Sequence, residues 1–192
     1  MGLKGVLLNN ISISTSMHKI YKSQVILQNH KDFKKDCRQI YRQIKQDYNM
    51  EHTITGLYQQ YNIFNYASPK RIWGELFKEI RTSCLDFIGE DRNMYFQSWL
   101  NYHTEEKQLL DWHDHDFPFH GYISIEPLNS RTIFSDFEID NKVGNIYIGH
   151  GHAEHKVVCD DVSQPRITIG FDILFEDEYR AVNKGVQSLY CK

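Results

Sequence analysis

Between Tyr95 and Phe175 the chain breaks into short runs rich in β-branched and aromatic residues, separated by turn residues rather than by helical patterns. The runs are 95–103, 108–113, 121–127, 131–137, 144–148, 154–159 and 165–175. Pro127-Leu128-Asn129-Ser130, Asp140-Asn141-Lys142 and Asp160-Asp161-Val162-Ser163 punctuate them with residues that favour turns. Many short strands at this spacing predict a sandwich or barrel, because a lone hairpin cannot bury its apolar face. The composition agrees, with 41% hydrophobic and 14% aromatic residues among 192.

Ahead of the strands the period changes. Phe33, Cys37, Ile40, Tyr41, Ile44 and Tyr48 recur at steps of three and four, which predicts a helix from His30 to Asp47 with one apolar face. A second helix is predicted after Ser68 as its cap and Pro69 as its first residue, ending before Gly89. Its stripe of Ile72, Trp73, Leu76, Phe77, Ile80, Cys84, Phe87 and Ile88 reads as a core face. The expected architecture is one domain over 1–192. Two supporting helices (about 30–89) would cover one side of a β-core (about 95–175), and Asn183 to Lys192 would form a tail.

Six of the ten histidines fall between His113 and His155. His113 and His115 are two positions apart, so on an extended strand both imidazoles point the same way and can reach one metal ion. His155, at the head of the apolar run Lys156-Val157-Val158-Cys159, could supply a third nitrogen and complete one face of an octahedron. Further on, Arg166 and Thr168 share one side of an alternating strand, where a cation and a hydroxyl can grip a carboxylate. Asp114, Asp116 and His120 compete with His115 for the third ligand position. His150 and His152 read as loop or rim residues, His103 and His120 as structural or supporting, and Trp99 and Trp112 as core or site walls.

This order of residues resembles the Fe(II)/2-oxoglutarate-dependent oxygenase superfamily, whose pattern is HxD/E, a distal His, then Arg-x-Ser/Thr. The resemblance spans roughly Tyr95 to Ile173 and includes Trp112-His113-Asp114-His115 leading into Gly121-Tyr122-Ile123-Ser124-Ile125-Glu126-Pro127. It implies a double-stranded β-helix of the jelly-roll or cupin-like kind. It also implies Fe(II) held by His113 and His155, with His115 favoured here as the third ligand, and 2-oxoglutarate on Arg166 and Thr168 with help from Asn101 or Tyr102. The implied reaction couples O2 and 2-oxoglutarate decarboxylation to oxidation of a small-molecule or side-chain substrate. One departure stands out: position 115 carries His where the pattern has a carboxylate, which removes one negative charge from the metal.

Two rivals remain at this level. A cupin-type three-His enzyme would not use 2-oxoglutarate and would have no need of the Arg166-x-Thr168 pair. A jelly-roll binding module would carry the histidines incidentally or around a structural metal, although such sites typically recruit cysteines. The four cysteines are scattered without a CxxC pair, which points to a reduced, cytosolic setting. No run has the length of a membrane helix or the form of a signal peptide. A net charge of -3 without a basic stripe argues against nucleic acid as a partner.

Overall fold

Alternation along the strands decides the architecture. The computed structural model describes residues 17–50, 57–67, 70–104, 108–161, 163–182 and 188–191. Its ten strands are β1 (His18–Lys22), β2 (Met94–His103), β3 (Gln108–His113), β4 (Phe119–Glu126), β5 (Arg131–Phe134), β6 (Glu138–Asp140), β7 (Asn145–His150), β8 (His155–Val158), β9 (Arg166–Leu174) and β10 (Ser188–Cys191). They form a six-stranded sheet in the order β1-β7-β4-β9-β2-β10 and a four-stranded sheet in the order β3-β8-β5-β6. Every pairing is antiparallel. The result is mainly β, a two-sheet jelly roll of the double-stranded β-helix type with helices on one side.

The central strand β9 is buried at every position, which requires cover on both of its faces. Ile167, Ile169, Phe171 and Ile173 join the main core, together with Ile123 and Ile125 of β4 and Phe96 and Leu100 of β2. That face is covered by α2 (His30–Asp47) and α4 (Arg71–Ile88), which contribute Phe33, Ile40, Ile44, Trp73, Leu76 and Ile80. The residues between them on β9, Arg166, Thr168, Gly170 and Asp172, therefore face the four-stranded sheet. A buried Asp36 on α2 ties the two helices, accepting from Trp73 Nε1 at 2.9 Å and pairing with Lys70.

Most expected elements are present, and the differences have local causes. The first predicted helix is α2, at the predicted residues. The second is α4, which closes on Gly89 in the left-handed region at φ 79° as expected. It begins at Arg71 behind Lys70, which makes no side-chain cap bond; Ser68 and Pro69 lie outside the described residues. The support is larger than two helices, since α1 (Gln24–Gln28) and α3 (Ile63–Ala67) also precede the β-core, and α5 (Glu176–Val182) follows it.

The run from Arg131 to Phe137 is not one strand. It turns back after Phe134, whose N–H donates to Phe137 O at 2.9 Å, and β6 pairs with β5. The expected tail is corrected at its end: Ser188–Cys191 pairs with β2 as an edge strand. At the opposite edge, β1 pairs with β7 through residues for which no strand was expected. Both edge strands are short, and their pairing partners rather than their own patterns hold them. Among the described residues no helix is long and apolar enough to cross a membrane.

Candidate active site

The two sheets enclose a cavity of about 240 Å³. The six-stranded sheet lines it with Trp99, Asn101, His120, Tyr122, Arg166 and Thr168, among others. The four-stranded sheet adds Leu110, His113, Thr132, His155 and Val157. At one place in this wall the ligand nitrogens of His113, His115 and His155 all lie within 4.8 Å of one another.

Strand pairing positions two of the three. His113 ends β3 and sits opposite His155, the first residue of β8, with ring centroids 4.3 Å apart. His115 arrives differently from the expectation of a regular strand, because β3 stops at His113. Its N–H donates to Gly151 O at 2.9 Å, and Gly151 N–H donates to Pro118 O at 3.0 Å. A Cβ at Gly151 would lie 1.7 Å from Phe117 O, so only glycine lets the segment after β3 lie against the turn before His155. The His115 ring then comes to rest parallel to that of His155, at 2° and 5.5 Å.

Two of the three rings hydrogen-bond a backbone carbonyl through Nδ1, and the third, His115, has its Nδ1 close to a carboxylate oxygen that accepts no hydrogen bond among the described residues. His113 Nδ1 bonds Asp111 O at 2.7 Å and His155 Nδ1 bonds Ala153 O at 2.9 Å. His115 Nδ1 lies 2.8 Å from Oδ1 of Asp172, a fully buried carboxylate whose other oxygen accepts from Tyr58 O–H. On His113 and His155 this leaves Nε2 as the free nitrogen, the arrangement by which proteins fix the tautomer of metal-binding histidines. Burial pushes the His155 imidazolium down to about 3 and lowers His113 as well. Both rings are therefore neutral, with lone pairs available, at ordinary pH.

Arg166 is 3% exposed, and burial lowers its guanidinium to about 10. Its Nε donates to Ser130 Oγ at 3.1 Å, whereas Nη1 has no partner among the described residues. A buried cation with an unused donor is costly unless an anion meets it. Thr168 and Asn101 stand on the same side of the sheet, joined by an Asn101 Nδ2 to Thr168 Oγ1 contact of 3.4 Å, and Asn101 Oδ1 is also without a partner. The donor set, a cation with a hydroxyl and an amide beside it, suits a carboxylate.

The structure thus brings His113, His115, His155, Arg166, Thr168 and Asn101 to one cavity. Tyr102 does not join them. Alternation turns it to the opposite face of β2, where it stacks on Tyr41 of α2 with centroids 4.1 Å apart, so the expectation that it meets a co-substrate is corrected. Asp114 and Asp116 are exposed cavity-wall residues, and neither belongs to the cluster of close ligand atoms. His120 is buried, stacked on His115 at 4.4 Å, with Nε2 unpartnered among the described residues. Trp99 is a site wall as expected. Trp112 is neither core nor wall; it is 42% exposed beneath Lys156 on the outer face. His150 packs against Phe119 and Phe87 at the end of β7, and His152 is exposed.

Sequence reasoning missed three contributors. Asp172 was visible as the one charged residue inside the apolar run after Thr168, a signal that should have been read. Ser130 and Tyr58 stand in loop and turn positions that carry no such mark.

No protein-family model matches the chain, and no curated protein matches it in sequence. Solved structures do resemble it. The non-heme alpha ketoglutarate dependent carbocyclase SnoK from nogalamycin biosynthesis superposes with a TM-score of 0.63 at 9% identity, covering 92% of this chain and 90% of that one. The epimerase SnoN of the same biosynthesis, described as non-heme and alpha ketoglutarate dependent, gives 0.56 at 9% identity over 83% of this chain and 78% of its own. A Pseudomonas putida prolyl-4-hydroxylase gives 0.53 at 10% identity over 85% and 90%. At these identities the likeness is one of fold.

Proposed function

We propose that this chain is a non-heme Fe(II)- and 2-oxoglutarate-dependent oxygenase. The observation that carries the reading is the pairing, in one cavity, of three clustered imidazoles with a buried arginine whose Nη1 has no partner among the described residues. The fold neighbours support it, since SnoN has been seen in complex with Fe3+ and alpha ketoglutarate.

In this reading His113, His115 and His155 would hold the metal, His113 and His155 through Nε2. Three clustered nitrogen donors would suit a first-row divalent metal such as Fe(II), with His115 in the place where the oxygenase pattern has a carboxylate. When bound, the iron supplies the redox chemistry by which O2 is reduced, 2-oxoglutarate is converted to succinate and CO2, and a C–H bond of the substrate is oxidised. The protein's own part is positioning. Arg166 grips the distal carboxylate of 2-oxoglutarate by charge-assisted hydrogen bonds, and Thr168 adds a hydroxyl, with Asn101 beside it. The apolar walls Leu110, Trp99 and Val157 limit water around the reacting groups. The substrate is a small molecule or a side chain admitted by the same cavity.

The test is anaerobic addition of Fe(II) and 2-oxoglutarate. A weak visible charge-transfer band, together with thermal stabilisation by 2-oxoglutarate that requires the metal, is expected. Metal binding without either response, combined with thiol oxidation in the absence of 2-oxoglutarate, would favour a three-His enzyme of the cupin type instead. A protein indifferent to both metal and 2-oxoglutarate would be a binding module.

A further inference from the structure

Asp172 has no counterpart in the HxD/E, His, Arg-x-Ser/Thr pattern, and its situation is unusual. The side chain is fully buried on the inner face of β9, and among the described residues no lysine or arginine pairs with it. Its two polar neighbours are His115 Nδ1 at 2.8 Å and Tyr58 O–H. Burying a carboxylate without a cation is among the most expensive arrangements available to a fold. Here the compensating charge would lie beside the ring it touches, where the ligand nitrogens of His113, His115 and His155 lie within 4.8 Å of one another.

We infer that Asp172 is a positioning residue for the metal, restoring from behind His115 the negative charge that position 115 itself no longer supplies. The inference rests on the three-imidazole metal reading. Three neutral imidazoles leave the full charge of a divalent ion uncompensated by protein. A carboxylate 2.8 Å from Nδ1 sets negative charge against the His115 ring and makes the imidazole a stronger ligand. Position 172 is well suited to this, because it shares a face with Arg166, Thr168 and Gly170 and is held across β4 opposite His120. Tyr58 O–H occupies the other carboxylate oxygen, and the Tyr58 ring stands edge-on to Trp99 at 4.7 Å, which keeps the carboxylate from rotating away. Because Tyr58 and Trp99 also line the cavity, whatever occupies it touches the same support.

The experiment is an anaerobic Co(II) titration of the full chain, read by the d–d absorption bands, for wild type, Asp172→Asn and Tyr58→Phe. Asn keeps the size and an acceptor for Tyr58 but removes the charge. Asp172→Asn is expected to weaken Co(II) binding about 10–100-fold and to shift the bands, with the far-UV circular dichroism of the metal-free protein unchanged. Tyr58→Phe, which leaves the carboxylate in place, is expected to weaken binding only a few-fold and to shift the bands in the same direction. Wild-type affinity and bands in both variants would overturn the role of Asp172 while leaving the metal reading intact. If Asp172→Asn does not fold, unchanged affinity and bands in Tyr58→Phe would suffice to overturn it. A wild-type protein that takes up no Co(II) would instead remove the metal reading, and this inference with it.

Discussion

His113 and His155 face each other across β3 and β8, and each anchors its Nδ1 on the carbonyl two residues before it, Asp111 O at 2.7 Å and Ala153 O at 2.9 Å. The two rings are thereby presented to the cavity by the same local device. The facing pair is a property of strand register, with His115 brought to it by a loop.

Burial of these rings makes a pH prediction. In the folded chain His155 is lowered to about 3 and His103 to about 4, both chiefly by desolvation, and His113 and His120 are lowered too. In the unfolded chain each returns to about 6.5. Below that value the unfolded state binds more protons than the folded one, so stability falls as pH drops from about 6.5 toward 3 and is independent of these groups above it. The midpoint of urea unfolding of the metal-free protein should be level between pH 7 and 8 and decline between pH 6.5 and 5. A level profile down to pH 5 would contradict the buried, neutral assignment.

Arg166→Leu should separate co-substrate from metal. Charge-assisted hydrogen bonds contribute about 1.5–3 kcal/mol, so 2-oxoglutarate binding should weaken by about 10–100-fold while Co(II) affinity stays within a factor of two or so. Isothermal titration with each ligand in turn checks this. Equal loss of both would mean that Arg166 supports the fold rather than the carboxylate.

His115→Asp, which restores the HxD pattern on paper, should not improve the metal site. The shorter side chain would place a second carboxylate beside Asp172, which is already fully buried, and two like charges there raise the cost of folding. Lower metal-free thermal stability and weaker Co(II) binding than wild type are expected. Adding Asp172→Asn to His115→Asp should recover part of both losses. A single variant that binds metal more tightly than wild type would show that Asp172 does not act on position 115.

Gly170→Ala should disturb the cavity from its back wall. A Cβ at Gly170 would lie 2.5 Å from Cε2 and Cζ2 of Trp99, its cross-strand partner, and would push the indole. Overpacking of this kind costs about 1–3 kcal/mol. For a chain of this length that corresponds to a fall in Tm of roughly 2–12 °C. Because Trp99 stands 5.9 Å from His115, the displaced ring should also weaken 2-oxoglutarate binding. Unchanged Tm and unchanged binding would mean that the indole has room to move aside.

Much of the fold was legible because strands and helices announce themselves by period. The alternation of Arg166-Ile167-Thr168-Ile169-Gly170-Phe171 already separates a core face from a cavity face, and the stripe from Phe33 to Tyr48 already names the helix that covers it. Elements without a period of their own were less legible. The edge strands β1 and β10 exist because β7 and β2 offer them unpaired backbone groups, and the break after Phe134 follows from a turn hydrogen bond.

The candidate site divides in the same way. Residue type and spacing alone singled out His113, His155, Arg166 and Thr168, because their chemistry is carried by side chains on strands whose direction is set by a two-residue period. Tyr102 was misplaced by one step of that period, since neighbouring residues on a strand face opposite ways and only the packing of α2 on β2 decided which way this one faced. Position 115 lay beyond the reach of periodicity, as its ring is aimed by Gly151 and by a contact with Asp172, far away in sequence. Local pattern determined which residues could do chemistry on this chain. Tertiary structure decided their partners, because a buried carboxylate, a tyrosine from a loop and a histidine can meet only after both sheets and the helical layer have closed around them.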